Sequence, residues 1–371
     1  MSLETDLDGG LAVGDFLPDI PLFNPRQGHT TLLLRVRGKA IVLFFYPDGR
    51  MPACQQMLRA FAGVFQRLDE LAHVFVITRE SQEASARTAE MTGFPSDSML
   101  YDPDGQLARV YGVEHNLGGA LDFMATGAFT SIVADPSQRI ARIDRDIGDT
   151  GYASELLVYL DDRAKEPARQ LRPYAPLLYV PGVFDPDFCR YLIEVCETQG
   201  SELTGVNRSY GRAAGVEVRD TAVKVRRDHT VQNPALCARI NRFVARRIVP
   251  EVLRAFGQHI THAEAYMIGC YEHDTGGFFR PHRDNVSQNT RHRRFAISVN
   301  LNTGDYEGGE LRFPEYGPHL YNPAIGDAIV FSCSLLHEAL PVSAGRRFVL
   351  LTFFYGPEGR EVPGTLALGT G

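Results

Sequence analysis

The chain has 371 residues, enough for two medium-sized cores, and its 44% hydrophobic and 22% charged content is ordinary for a globular protein. It contains no run of 18 or more apolar residues, so no membrane span is expected, and residues 1–10 are acidic and polar, unlike a secretory signal and suggestive of a loose tail. The formal charge of −7 is uneven. Residues 1–170 carry 16 Lys and Arg against 24 Asp and Glu, and residues 171–371 carry 22 against 21, so two units with different surfaces are expected and no basic face for nucleic acid.

In chain order, Ala40–Tyr46 (AIVLFFY) is a short apolar run that reads as a buried strand. Pro52–Leu71 carries Leu58, Phe61, Val64, Phe65 and Leu68 at helix period. His73–Thr78 reads as a second strand, Ser81–Gly93 as a helix capped by Ser81, Ala128–Ala134 and Arg139–Ile143 as later strands, and Gly151–Asp161 as a last helix. Strands alternating with helices predict a mostly parallel or mixed α/β sheet. Asp161–Pro176 is charged and proline-bearing, and the domain boundary is placed there, giving domains 1–168 and 169–371.

Beyond it, Asp185–Thr198 reads as a helix capped by Asp185, and Pro234–Phe256 as a longer helix that Pro250 bends or divides. The chain then turns strand-like at Ala263–Tyr271, Phe295–Leu301, Glu310–Phe313, Asp327–Phe331 and Phe348–Phe354. Helices followed by many short strands predict an α+β unit on a curled sheet sandwich.

The chemistry concentrates in this second unit. His282 and Asp284 are two apart, so on a strand they face the same way, and His337 follows 55 residues later. Two histidines and one carboxylate are the set that holds Fe(II) on one face and leaves positions open opposite. Arg347 begins the apolar run Phe348–Phe354, where a rigid element can aim its guanidinium fork at a carboxylate; the plain alternative is a solvated strand-edge charge. The basic segment Asn207–Thr230, with Arg212, Arg219, Lys224, Arg226 and Arg227, reads either as a substrate lid or as a solvated loop and edge strand. One arginine of Arg291–Arg294 is a candidate for the rim of the barrel. The pair Gly308-Gly309 suits a tight turn near the site mouth. Six cysteines, at 54, 189, 196, 237, 270 and 333, show no C-x-x-C or zinc spacing, and a reducing cytoplasm is expected.

Two resemblances join these readings. Residues 12–165 are similar to the peroxiredoxin group of the thioredoxin fold, on Phe45-Tyr46-Pro47 followed by Cys54. The resemblance implies Cys54 as a thiol site, yet Met51 stands where the family has Thr or Ser, and Thr126 where it has an arginine that Arg50 would have to replace. Residual thiol peroxidase activity, a degenerate domain with Cys54 a half-buried small hydrophobe, partner recruitment and a homodimer all remain open on this reading.

Residues 176–356 resemble the prolyl 4-hydroxylase-like branch of the Fe(II)/2-oxoglutarate dioxygenases, on YEHDTGGFFRPHRD (Tyr271–Asp284), YEGGELRFPEYG (Tyr306–Gly317) and GDAIVFSCSLLHEALPVSAGRRFVLLTFFYG (Gly326–Gly356). The two resemblances together imply an α/β thioredoxin-like domain followed by an α+β double-stranded β-helix (jelly roll). The dioxygenase resemblance implies His282, Asp284 and His337 as iron ligands, with Arg347 and Tyr271 on the far carboxylate of 2-oxoglutarate. Fe(II), 2-oxoglutarate and O2 are the implied cofactor and co-substrates, with ascorbate as a helper. The implied prime substrate is a prolyl residue of a protein or peptide, the alternative being a free amino acid or other small molecule.

Overall fold

The computed structural model describes residues 11–18, 21–24, 29–32, 38–113, 129–165, 174–208, 216–218, 220–357 and 365–368. The expected tail at residues 1–10, Thr126, Arg212, Arg219 and linker residues 166–173 lie outside this set. The chain divides into two compact units, Met1–Arg169 and Gln170–Gly371. No helix among the described residues is long and apolar enough to cross a membrane.

The first unit is a seven-stranded mixed sheet with helices. Its strands are β1 (Pro21–Asn24), β2 (His29–Leu32), β3 (Ala40–Phe45), β4 (Ala72–Thr78), β5 (Met99–Tyr101), β6 (Phe129–Ala134) and β7 (Ile140–Ile147), in the order β2-β1-β5-β4-β3-β6-β7. β3 pairs parallel with β4 and antiparallel with β6, which places it near the middle of the sheet. That position explains its unbroken apolar run. Val42, Phe44 and Tyr46 pack on one face with Leu58 and Phe61 of the helix Pro52–Leu71 and with Leu156 of the helix Tyr152–Ala164. Ile41, Leu43 and Phe45 pack on the other face with Leu107, Tyr111 and Ile132. A strand covered on both sides has no polar face to reveal its alternation. Ser81 caps the helix Gln82–Thr92 by accepting from the Ala84 amide.

The second unit is a jelly-roll-like pair of antiparallel sheets. In chain order its strands are β8 (Leu177–Val180), β9 (Glu202–Leu203), the hairpin β10–β11 (Val206–Arg208, Val216–Val218), β12 (Lys224–Val225), β13 (Arg227–Thr230), β14 (His262–Ala263) and β15 (Met267–Glu272). They continue with β16 (Phe278–His282), β17 (Phe295–Asn300), β18 (Tyr306–Gly308), β19 (Leu311–Arg312), β20 (Leu320–Tyr321), β21 (Ala328–Ser332), β22 (His337–Ala339), β23 (Val342–Tyr355) and β24 (Leu366–Ala367). The larger sheet runs β8-β21-β17-β23-β15-β13-β9, with β14 and β18 pairing with parts of the long β23 and β24 pairing with β14, and the smaller runs β12-β16-β22-β19-β20. An apolar core that includes Ala296, Ile329, Phe331, Val349, Leu311, Phe313 and Ala339 draws on strands of both sheets.

Several boundaries differ from the expectation, each for a local reason. The anticipated strand Ala263–Tyr271 is two strands, because between Ala263↔Phe354 and Met267↔Leu351 it holds one residue more than β23 opposite, and Glu264 in that gap turns its carboxylate to His292 and Arg293. Glu310–Phe313 shortens to β19, between Gly309 at φ +72° and a 3-10 turn opened by Pro314. Phe348–Phe354 is the second half of a 14-residue strand, so Arg347 lies inside β23 and not at its start. The polar, glycine-bearing half, Val342–Arg346, pairs with β15 and β18. The long helix is divided into Pro234–Arg247 and Val249–Phe256, Ile248 standing at φ −110° before Pro250.

The Gly326-Asp327 pair of the motif is structural. Asp327 accepts hydrogen bonds from the Gly182 amide at 2.7 Å and from the Tyr179 hydroxyl, and the Gly326 carbonyl accepts from the Phe184 amide. Gly326 has φ +79°, and a Cβ there would lie 1.9 Å from the Phe184 carbonyl oxygen. Gly326→Ala is therefore expected to lose at least about 2 kcal/mol of stability, from left-handed strain and backbone overlap together. Thermal and denaturant unfolding of the variant would check this.

Candidate active site

The iron-type ligands converge between the edges of two adjacent strands. His282 ends β16 and is the direct register partner of His337, which begins β22. Between Phe279↔Ala339 and His282↔His337, β16 holds one residue more than β22, a bulge that includes Pro281. Proline has no amide proton to lose from the ladder, so the bulge costs little there. Asp284 lies beyond the strand, in a turn, which corrects the expectation that strand alternation alone aligns it with His282. Its amide donates to the Cys333 carbonyl at 3.0 Å, and this bond draws the carboxylate back between the imidazoles.

The three side chains offer ligand atoms within 4.8 Å of one another. His282 Nε2 lies 3.5 Å from Asp284 Oδ1, and His337 Nε2 lies 3.4 Å from Asp284 Oδ2. In each histidine the other ring nitrogen faces a carbonyl, Arg280 O at 2.8 Å and Leu335 O at 3.1 Å. Donation from Nδ1 fixes the tautomer that leaves Nε2 bare for a metal. Burial pushes the His337 imidazole down to about 4, against the opposing pull of Asp284, so it is neutral at physiological pH. Burial works to raise the Asp284 carboxyl, but His337, His282 and Arg293 overcome it and hold it at about 2. Two imidazoles and one carboxylate, a donor set that leaves the opposite face of the ion open, suit Fe(II).

Neighbouring ion pairs brace this loop. Arg283 points away from the ligands and binds Glu315 and the Ser334 carbonyl, and Glu315 also accepts the Leu336 amide. Arg293 forms a fork on Glu264 at 2.6 and 2.7 Å, lies 3.7 Å over Phe353 and donates to the Asp284 carbonyl. It is the arginine of Arg291–Arg294 that enters the rim. Phe279 stacks on His282 at 3.5 Å between centroids.

A cavity of about 560 Å³ reaches from these ligands into the barrel. Arg347 lines it, 1% exposed, on β23 opposite Tyr271 of β15. Arg347 Nη2 donates to Asn300 Oδ1 at 3.0 Å, while Nε has no partner, and no carboxylate pairs with it among the described residues. Ser298 also lines the cavity with an unpartnered buried hydroxyl. A guanidinium with an idle donor deep in a cavity fits a carboxylate ligand such as the far end of 2-oxoglutarate. Gly309 makes room for it: a Cβ there would fall 2.9 Å from Arg347 Cδ, at φ +72°.

The basic lid is corrected in part. Lys224 and Arg226 are buried, at 7% and 8% exposure, and bind Asp228 in the cavity wall; Arg227 binds Ser201. The hairpin β10–β11 is flanked in sequence by Thr204, Gly205, Val223 and Lys224, which all line the cavity. Sequence reading missed Asn300, Ser298, Asp228 and the Arg293–Glu264 fork. A signal was present for two of them: Ala296, Ser298 and Asn300 alternate along an apolar strand, which marks its inward face.

In the first unit Cys54 occupies the first turn of the helix Pro52–Leu71 and is fully buried, not half-buried. Burial raises its thiol to about 11, and Asp48 and Glu80 add to the rise, outweighing a backbone hydrogen bond. Arg50 does not replace the missing arginine, because it is exposed and its guanidinium is engaged by Asp48.

Residues 266–355 match the 2OG-Fe(II) oxygenase superfamily, and residues 13–143 match the AhpC/TSA family. Among curated proteins, Peroxiredoxin bcp1 of Schizosaccharomyces pombe is 28% identical over 121 residues, 32% of this chain and 60% of that protein. Peroxiredoxin Bcp of Bacillus subtilis is 26% identical over 160 residues, 42% of this chain and 99% of that protein. A PKHD-type hydroxylase of Psychrobacter sp. is 38% identical over 64 residues, 16% of this chain and 25% of that protein. Solved structures with likeness include a Pseudomonas putida prolyl-4-hydroxylase (18% identity, 53% of this chain, 96% of that chain, TM-score 0.38). Xanthomonas campestris Peroxiredoxin Q is another (24% identity, 43% of this chain, 100% of that chain, TM-score 0.36).

Two outcomes are expected. His282→Ala and His337→Ala lose most bound Fe(II), whereas Arg347→Ala keeps iron and loses 2-oxoglutarate affinity by roughly tenfold or more; metal analysis and anaerobic titration of the charge-transfer band separate them. Cys54 is expected to resist iodoacetamide near pH 7 and to react as pH approaches about 11, because its thiolate is absent below that range; mass-spectrometric alkylation across pH checks it.

Proposed function

For a chain that joins an AhpC/TSA-family domain to a 2OG-Fe(II) oxygenase domain, we propose a 2-oxoglutarate-dependent hydroxylase whose prime substrate is a prolyl residue of a protein or peptide. The carrying observation is that one cavity joins the His282, Asp284 and His337 donors to Arg347, a buried guanidinium with an idle Nε. The iron, when bound, couples conversion of 2-oxoglutarate to succinate and CO2 with hydroxylation of a C–H bond by O2. The protein's own residues supply the rest. His282 and His337 present fixed Nε2 atoms, Asp284 stays ionised, Arg347 and Tyr271 receive the far carboxylate, and Phe279, Leu311 and Phe331 give the cavity apolar walls.

The peptidyl reading is supported by the prolyl 4-hydroxylase-like order of motifs and by the hairpin β10–β11, which springs from the cavity rim where an extended chain can be covered. A free amino acid or other small molecule is the second reading, favoured by a volume in the range of metabolite pockets. The peroxiredoxin-like domain also keeps open a bifunctional protein with thiol peroxidase activity, although the raised Cys54 thiol speaks against a fast one.

Full-length protein with Fe(II), 2-oxoglutarate and ascorbate is expected to form succinate, and to add one oxygen to proline in a protein fraction of its own cell lysate, read by mass spectrometry. Succinate formed only in parallel with an oxygenated metabolite, with every protein fraction unmodified, would overturn the peptidyl reading. Hydrogen peroxide consumption abolished by Cys54→Ser would establish the bifunctional one.

A further inference from the structure

Resting on the co-substrate reading above, we infer that Arg226 is a positioning residue: it occupies a lone pair of the Tyr271 hydroxyl and so turns the phenol proton toward the carboxylate that Arg347 receives.

The strand path puts Arg226 where it can do this. Lys224 and Val225 pair with the iron-ligand strand β16 in the smaller sheet. Arg227 onward pairs with β15, the Tyr271 strand, in the larger sheet. Arg226 is the single residue between, at the point where the chain passes from one sheet to the other. Its guanidinium is held by Asp228, from Nε at 2.5 Å and Nη2 at 2.9 Å. That leaves Nη1, which donates to Tyr271 Oη at 3.2 Å. Asp228 is itself fixed by Lys224 at 3.3 Å and by the Thr204 hydroxyl. A side chain with two of its nitrogens pinned to a buried carboxylate has little freedom to move the third.

The donor count then decides the direction of the phenol proton. A guanidinium only donates, so Tyr271 Oη must be the acceptor in its bond with Arg226. The other cation near the ring, Arg347, lies 5.3 Å from its centroid and cannot accept a proton either. Among the described residues no atom accepts from Tyr271 Oη, although the residue is only 4% exposed and lines the cavity. A phenol proton buried between two obligate donors lacks an acceptor until an anion arrives. A carboxylate on Arg347 supplies one.

Gly269 shows that the arrangement is built in. It lies on β15 opposite Asp228, and a Cβ there would meet Arg226 Cδ at 3.0 Å, Asp228 Oδ1 at 3.1 Å and Arg226 Nε at 3.2 Å. The guanidinium–carboxylate pair lies flat on the sheet only because that position is bare.

The test is a double-mutant cycle on 2-oxoglutarate binding, measured anaerobically with full-length Fe(II) protein by the charge-transfer band and by calorimetry with Mn(II) in place of iron. Arg226→Met is expected to weaken binding roughly five- to tenfold, and less than twofold when Tyr271 is already Phe. Metal affinity is expected to stay unchanged in all four proteins. Gly269→Ala keeps every charge and crowds Arg226, so it is expected to weaken binding in the same direction, and it serves if Arg226→Met does not fold. Equal losses in the Tyr271 and Phe backgrounds, or wild-type affinity in Arg226→Met or in Gly269→Ala, would overturn the inference while leaving the functional reading intact. If the wild type itself binds no 2-oxoglutarate, the functional reading fails and takes this inference with it.

Discussion

A buried guanidinium without an acid beside it organises the second unit. Taking a charge out of water is expensive, and ordinarily a carboxylate shares the site. Arg347 has a neutral amide instead, a phenol ring under it and one idle donor. The surroundings are arranged to tolerate this. Asn300 is itself oriented by hydrogen bonds to Thr303, Tyr306, Asn322 and the Pro323 carbonyl, so its oxygen stays turned to Arg347. Gly309 leaves space against the aliphatic part of the side chain. On the proposed reading, the dianionic co-substrate is the acid that pairs with it.

The iron-type cluster follows a related logic with opposite sign. Asp284 is kept ionised in a buried place, and the two imidazoles beside it are kept from pointing elsewhere by carbonyls two residues back in the chain. Neither carbonyl belongs to a distant part of the fold. Ring orientation is thus fixed locally, and only the approach of the two strands and the turn at Asp284 depends on the whole barrel. The braces on that turn, Arg283 with Glu315 and Arg293 with Glu264, come from opposite sides of the ligand segment.

Much of this is legible in the amino-acid sequence. His282, Asp284 and His337, which the fold brings together, stand with Arg347 in motifs whose order is informative, and β3 and the helix Pro52–Leu71 announce themselves by apolar period. What was hidden was hidden for physical reasons. Val342–Arg346 contains Ser343, Gly345 and Arg346, yet it is strand because β18 supplies ladder partners as far as Gly345 and β15 takes over at Arg346. Lys224 and Arg226 look like surface charges in a basic run; only the three-dimensional position of Asp228 shows that they are buried together. The Cys54 spacing resembles an active thiol site, but reactivity depends on nearby charge, and the charges that gather there are Asp48 and Glu80. Spacing is a property of the chain, whereas a pKa is a property of the neighbourhood.

The bulge before His282 carries a consequence for how the site is assembled. Were β16 paired regularly from Phe279↔Ala339, with no bulge, Pro281 would stand opposite His337 and His282 would be carried past its partner. The pairing of β16 with β22 therefore has a correct register and an incorrect one that differ by a single step, and side chains change faces at each step. Only one of them brings two imidazoles and a carboxylate together. On the proposed iron-site reading, a metal ion would bind the correctly paired strands in preference to the slipped ones, so loading would also select the strand alignment.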